Sequence, residues 1–318
     1  MSTSSCCNKK ILVTGGAGFI GSHLSESLAG MGNDVTVLDD FSITTAHAKP
    51  LEKKGVHILK GSVTDFPVVL AACKSKDLVF HLAAMNRAMK SVNDPLLSHA
   101  ITSTGTLHVL EASRKSNVKK VVNISSSSVY GSSSLLPRRE SDPVRPTHPY
   151  GAAKLSGEQY ARIYYELYGL PTVSLRYFSV YGPRQLGVIP YAAVIPKFMS
   201  RISREEPVEV YGDGSQRRNF TFVSDVVDCT IRAALADSAN GLTLNVSSEE
   251  DVAINDVIGM LEEAMGRKAK VSYLDPLPGE VAANPADISL ARNLLGFSPK
   301  VDVRKGLQLT LKWYNATS

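Results

Sequence analysis

From Lys10 onward, short β-branched runs alternate with longer stretches in which apolar residues recur at helical spacing. Residues 11–14, 35–39, 56–59, 78–81, 121–125 and 172–177 read as strands, and 20–31 as the first helix. The run KVVNI at 120–124 has almost no polar alternation, which suits a strand covered on both faces. Strand and helix in regular succession predict a parallel, doubly wound α/β sheet. After residue 177 the rhythm breaks at Gly182 and Pro183, and again at Gly187 and Pro190. We therefore expect a main domain from 9–178 joined by roughly 218–240. Residues 179–217 and 241–318 are expected to form a smaller C-terminal α/β lobe for substrate.

Composition narrows the class. The 318 residues are 43% hydrophobic and 20% charged, ordinary for a soluble globular protein. Thirty-five basic and 30 acidic residues leave +5 with no block of one sign, which suits an anionic ligand and gives no footprint for nucleic acid. None of the four cysteines forms a CxxC pair, and no His/Cys cluster has zinc spacing, so no metal is expected. No apolar run reaches membrane-spanning length, and the first residues lack a signal-peptide pattern. The expectation is a cytoplasmic protein without a membrane partner.

Candidate chemistry begins where the first strand meets TGGAGFIG at 14–21. Gly15 permits a tight turn, Gly18 lets the backbone approach a pyrophosphate, and Gly21 allows close packing of the helix that follows. Free N–H groups at the helix start, including those of Phe19 and Ile20, then face the phosphates. Asp39 ends the second strand, where a carboxylate accepts from ribose hydroxyls and repels a 2′-phosphate. Asp40, Phe41 and Ser42 bring no arginine to offset that repulsion, so NAD is expected rather than NADP. This strand, loop, helix and acid together predict a Rossmann-type dinucleotide site.

Two further stretches carry reactive groups. SSSS at 125–128 ends a buried strand, at the edge of such sheets where ligands bind. PYGAAK at 149–154 opens a helix and puts Tyr150 and Lys154 on one face at i, i+4. A tyrosine is a poor base at neutral pH, but a neighbouring ammonium favours its phenolate. Tyr150 can then take a proton from a sugar hydroxyl while hydride leaves the same carbon for NAD.

With these motifs in family order, the chain resembles the extended short-chain dehydrogenases/reductases, in the branch of UDP-glucose (UDP-galactose) 4-epimerases. HLAA at 81–84, LRYF at 175–178, YGPR at 181–184, GDG at 212–214 and Arg218 extend the resemblance over roughly residues 9–300. It implies Tyr150 as base, Lys154 also holding the nicotinamide ribose, and Ser126 bonding the reacting hydroxyl. It places Tyr177 near the nicotinamide and Val63, Leu82, Ala83 and Ala84 along the cofactor channel. Arg218 is expected on the substrate diphosphate, with Ser127, Ser179 and Lys197 as further substrate contacts. Related members pair through the helix bearing Tyr150 and the one before it, which implies a homodimer through 96–115 and 150–168.

The same resemblance frames the reaction. Dehydratases of this kind carry an acidic pair, and uronate decarboxylases a Glu, where this chain has Ser127 and Ser128. Without an acid there, hydride return to the other face of a rotated 4-keto sugar is expected, which is 4-epimerisation. Asn284 stands where epimerases restricted to plain hexoses have a bulky Tyr, implying room for an N-acetyl group. Uronate epimerases carry an Arg at the position of Leu186. UDP-glucuronate 4-epimerase and a dehydratase or reductase on the same scaffold are the competing readings, and a non-catalytic cofactor-binding regulator is a third. Departures from the pattern are Ser62, Thr102, Asn219 and Leu277, the last replacing a second phosphate-binding Arg.

Overall fold

The computed structural model describes residues 7–85, 88–131, 134–187, 192–276 and 283–317. Seven parallel strands form the central sheet: β1 (Lys10–Thr14), β2 (Asp34–Asp39), β3 (His57–Lys60), β4 (Leu78–His81), β5 (Lys120–Ser126), β6 (Thr172–Tyr177) and, from far along the chain, Thr243–Val246. The order is Thr243–Val246, β6, β5, β4, β1, β2, β3, so the winding reverses between β1 and β4. That reversal opens a crevice at the carboxyl ends of the strands, where open α/β sheets take ligands. β5 and β6 are buried along nearly their whole length, as expected of strands with helices on both faces.

The expected strands all form, within a residue at either end. The helix expected at 96–115 is Pro95–His99, a π-turn at Ala100–Thr104 and Gly105–Lys115. Helix Pro149–Tyr168 starts with His148 Nδ1 accepting from Gly151 N at 3.2 Å and ends on Gly169 in the left-handed region. Helix Val223–Leu235 packs on helix Phe19–Gly30, β5 and β6. The border at 240 leaves out Thr243–Val246, which pairs with β6 and completes the sheet.

The remaining C-terminal part is built from short pairs. Val208–Tyr211 lies parallel to Val271–Leu274, and Arg217–Asn219 antiparallel to Asp251–Ala253. Helices Val194–Ser203 and Ile254–Met265 pack beside them. One apolar core runs from Ile11 and Val37 through Val227 to Leu261 and Leu311, so lobe and sheet share their interior. No helix among the described residues is long and apolar enough to cross a membrane.

Candidate active site

β1 delivers the chain into the glycine loop. Gly15 has φ +70°, and a Cβ there would lie 2.7 Å from Ala83 N. A Cβ on Gly21 would strike Gly15 O and lie 2.7 Å from Gly16 Cα, so this glycine packs against the loop's own first residues. No side chain caps helix Phe19–Gly30, which leaves its first N–H groups for an anion. Asp39 accepts from Ala17 N at 3.0 Å through Oδ2 and from Phe41 N at 2.9 Å through Oδ1. Burial pushes its pKa up and these two bonds oppose it. Asp40 is exposed and accepts from Ser42 N at 2.9 Å.

A cavity of about 610 Å³ follows the strand ends. Gly15, Gly18, Phe19, Ile20 and Gly21 form one wall, with Asp39, Asp40 and Val63 beside them. Leu82, Ala83, Ala84, Ser126, Ser127, Tyr150, Lys154 and Tyr177 line the rest. Uncapped helix N–H groups, a glycine cradle and a half-buried carboxylate acceptor fit a dinucleotide. His47 was not anticipated: its Nδ1 donates to Ala17 O at 2.9 Å, and burial lowers its pKa. The neutral ring therefore offers Nε2 as an acceptor in the same wall.

At the other end, Tyr150 N donates to Ser91 Oγ at 3.1 Å, and the Tyr150 ring stacks on His148 at 6.1 Å. Lys154 Nζ lies 6.0 Å from the Tyr150 ring centre and donates to Ile124 O at 2.5 Å. Burial pushes the Lys154 ammonium down to about 8, against the attraction of Glu158. Ser126 Oγ accepts from Ser128 N at 3.2 Å, so its own O–H remains to donate into the cavity. Tyr177 Oη is 2.6 Å from Thr230 Oγ1, whose proton goes to Val226 O. Tyr177 is therefore the donor to Thr230. Its hydroxyl is taken up inside the fold, and what it can offer the cofactor is its ring.

His81 braces this floor. Thr106 Oγ1 donates to Thr102 O, so His81 Nε2 donates to Thr106 and Nδ1 accepts from Thr14. Burial holds the ring neutral, with its pKa pushed down to about 3. Thr102 Oγ1 accepts from Met85 N at 3.1 Å and so ties this helix to the segment after β4.

A second cavity of about 960 Å³ continues from the first, sharing Met89, Ser179, Val180, Gln185 and Ala193. Arg218 and Lys197 line it, but Lys197 is bound to Glu209 Oε2 at 2.8 Å. Asn284 is not brought to either wall; its Oδ1 accepts from Arg138 Nε at 3.1 Å, a buried cation that claims the amide. Leu277 lies outside the described residues. Sequence reasoning missed Gln185, whose Nε2 donates to Val180 O at 3.1 Å while its buried Oε1 has no partner among the described residues. It also missed Lys90, on the wall of the first cavity.

The crevice, the dinucleotide cradle and the second cavity that continues from it make this a Rossmann-type fold with room for a ligand beside the cofactor. The model of the NAD dependent epimerase/dehydratase family matches residues 11–247, and the chain belongs to that family, with NAD as its cofactor. It is 33% identical to the UDP-glucose 4-epimerase of Mycolicibacterium smegmatis, over 97% of this chain and 99% of the other. Among solved structures, a UDP-N-acetylglucosamine 4-epimerase from Methanobrevibacter ruminantium, in complex with UDP-N-acetylmuramic acid, superposes with TM-score 0.93. Identity there is 36%, over 98% of this chain and 100% of that one. A UDP-glucuronic acid 4-epimerase from Bacillus cereus, in complex with UDP-glucuronic acid and NAD, gives TM-score 0.89. It is 33% identical over 97% and 99% of the two chains.

Proposed function

We propose that this chain is an isomerase, an NAD-dependent 4-epimerase of neutral UDP-hexoses and UDP-N-acetylhexosamines. The observation that carries it is the absence of an acid beside the catalytic group. Among the described residues, the cavity wall that holds Ser126 and Tyr150 has carboxylates only at Asp39 and Asp40. These sit at the end of β2, three strands away from β5. Ser127 and Ser128 offer hydroxyls that cannot serve as the base or acid of an elimination at neutral pH.

Tyr150 takes the proton of the 4-hydroxyl, and Lys154 lowers the cost of its phenolate. Ser126 donates to the same sugar oxygen as it becomes a ketone. NAD, when bound, supplies the reversible acceptor for the hydride of C4. Gly15, Gly18, Gly21 and Asp39 hold the cofactor, and Phe19, Ile20, Val63, Leu82, Ala83, Ala84 and Tyr177 enclose it. Arg218 is placed to clamp the diphosphate, for which a forked guanidinium is suited.

The sugar stands between Tyr150 and Arg218, at the junction of the two cavities. Gln185 Oε1 is a neutral acceptor there and suits a hydroxyl or an amide N–H. Leu186 offers a carboxylate nothing, and an unpaired buried charge is costly. Incubation with UDP-glucose, UDP-N-acetylglucosamine and UDP-glucuronate, read by NMR without added NAD, is the test. Epimers of the first two are expected, and formation of a 4-keto-6-deoxy sugar instead would overturn the reading. UDP-glucuronate is the second reading, favoured by the Lys90 ammonium on the same wall. A higher kcat/KM for it than for the neutral sugars would establish that alternative. Replacing Leu186 by Arg should raise kcat/KM for UDP-glucuronate by about tenfold, the value of one charge-assisted hydrogen bond.

We also propose a homodimer and a cytoplasmic setting. Leu96 and Leu167 are 82% and 68% exposed on helices Pro95–His99 and Pro149–Tyr168, which supports pairing through these helices. A monomer on a sizing column would refute the dimer. Cys7, Cys73 and Cys229 are all free thiols, in keeping with a reducing compartment.

A further inference from the structure

Glu158 lies one turn beyond Lys154, so Tyr150, Lys154 and Glu158 form a stripe along helix Pro149–Tyr168. It is 3% exposed and fully engaged. Its Oε1 accepts from Ser125 Oγ at 2.5 Å and Arg176 Nε at 2.9 Å, and its Oε2 from Arg176 Nη2 at 2.8 Å. Ser125 directly precedes Ser126, and Arg176 directly precedes Tyr177. One carboxylate therefore fastens the helix of the base to both strands that flank the reacting carbon.

A buried ion pair is weak evidence of a stability role, since apolar replacements are often as stable. The charges around Lys154 suggest another purpose. Tyr150 faces it from its own helix and His81 from β4; Arg176 on β6 pairs with Glu158, with Tyr130 stacked under its guanidinium at 4.7 Å. His81 is neutral, and burial raises the Tyr130 phenol to about 12, so it is neutral too. Glu158 is the one anion in this set, and it opposes the burial that strips the Lys154 proton.

We propose that Glu158 is a positioning residue for the 4-epimerase reaction, balancing the buried Lys154 charge and aligning Ser126 with Tyr150 through Ser125. This rests on Tyr150 as base and Lys154 as its partner. Activity then needs the Lys154 cation and is lost as pH rises through the lysine's ionisation. Removing the anion moves that loss to lower pH.

In Glu158→Gln the alkaline limb of kcat should shift down by about one pH unit. The Tyr150 phenolate, read by ultraviolet difference against a Tyr150→Phe partner, should form at higher pH. Glu158→Asp should lower kcat but keep the wild-type limb. Should Glu158→Gln fail to fold, the charge-neutral pair Glu158→Gln/Arg176→Gln serves, with the same downward shift of the limb expected because the anion is gone in both. Unmoved limbs and phenolate titration, with only kcat or Tm reduced, would overturn the proposal. That outcome differs from failure of the base assignment, in which Tyr150→Phe alone would retain turnover.

Discussion

Replacing Tyr150 by Phe is expected to lower kcat by roughly 10²- to 10⁴-fold, the range supplied by a positioned acid or base. The protein should still fold and still purify with NAD. The bond to Ser91 uses the Tyr150 backbone N–H and the stack on His148 uses the ring, so neither needs the hydroxyl. The glycine loop and Asp39, to which we assign the cofactor, follow β1 and end β2, on the other side of β4 from Ser126. Steady-state kinetics on UDP-glucose, with NAD measured after acid release, checks both halves. A kcat within twofold of wild type would remove Tyr150 from the chemistry. Loss of NAD together with activity would give Tyr150 a binding role in its place.

The pH dependence of the wild-type enzyme follows from the same pair. Lys154 is pushed down to about 8 by burial, below its ordinary value near 10.5. In the absence of substrate its proton is held below about pH 8 and given up above it, so the help it gives the phenolate fades across that range. The stability sign is opposite. A lysine with a lowered native pKa costs stability where it is protonated, and this cost falls as pH rises from about 8 toward 10.5. Activity should therefore decline on the alkaline side before the fold does.

The main sheet was legible because its strands are apolar runs with turn residues between them, a pattern set by local contacts. The glycine loop was legible for the same reason: Gly15 and Gly21 are needed by the backbone path itself, within seven positions of chain. What the sequence did not show depends on partners far apart. Thr243–Val246 is too short to announce itself, and only its pairing with β6 makes it the seventh strand. Asn284 was assigned by its place in a motif, but Arg138, 146 positions earlier, holds its side chain. Gln185 Oε1 lacks a partner among the described residues, which no pattern of residue types reveals. Glu158 carries no motif of its own, and its bonds to Ser125 and Arg176 join residues 33 and 18 positions away along the chain.

The largest effect on cofactor binding is expected from Gly21→Ala. The helix must start within contact distance of the turn that precedes it, and the added methyl would meet Gly15 O and lie 2.9 Å from Gly15 C. Those are backbone atoms and cannot swing aside, so either the loop or the helix start must move. Inserting a methyl into such a contact costs about 1–3 kcal/mol. The displaced parts are the ones that present N–H groups to the pyrophosphate, so NAD in the purified protein should fall at least about tenfold, with a lower Tm. Gly30→Ala in the same helix is the control. No atom lies within 4 Å of its added Cβ, and its backbone φ is not in the left-handed region. That change should raise stability by about 0.4–1 kcal/mol and leave NAD content alone. If Gly21→Ala instead keeps wild-type NAD and Tm, the pyrophosphate does not rest on this loop, and the cofactor's placement along the crevice would have to be reversed or moved.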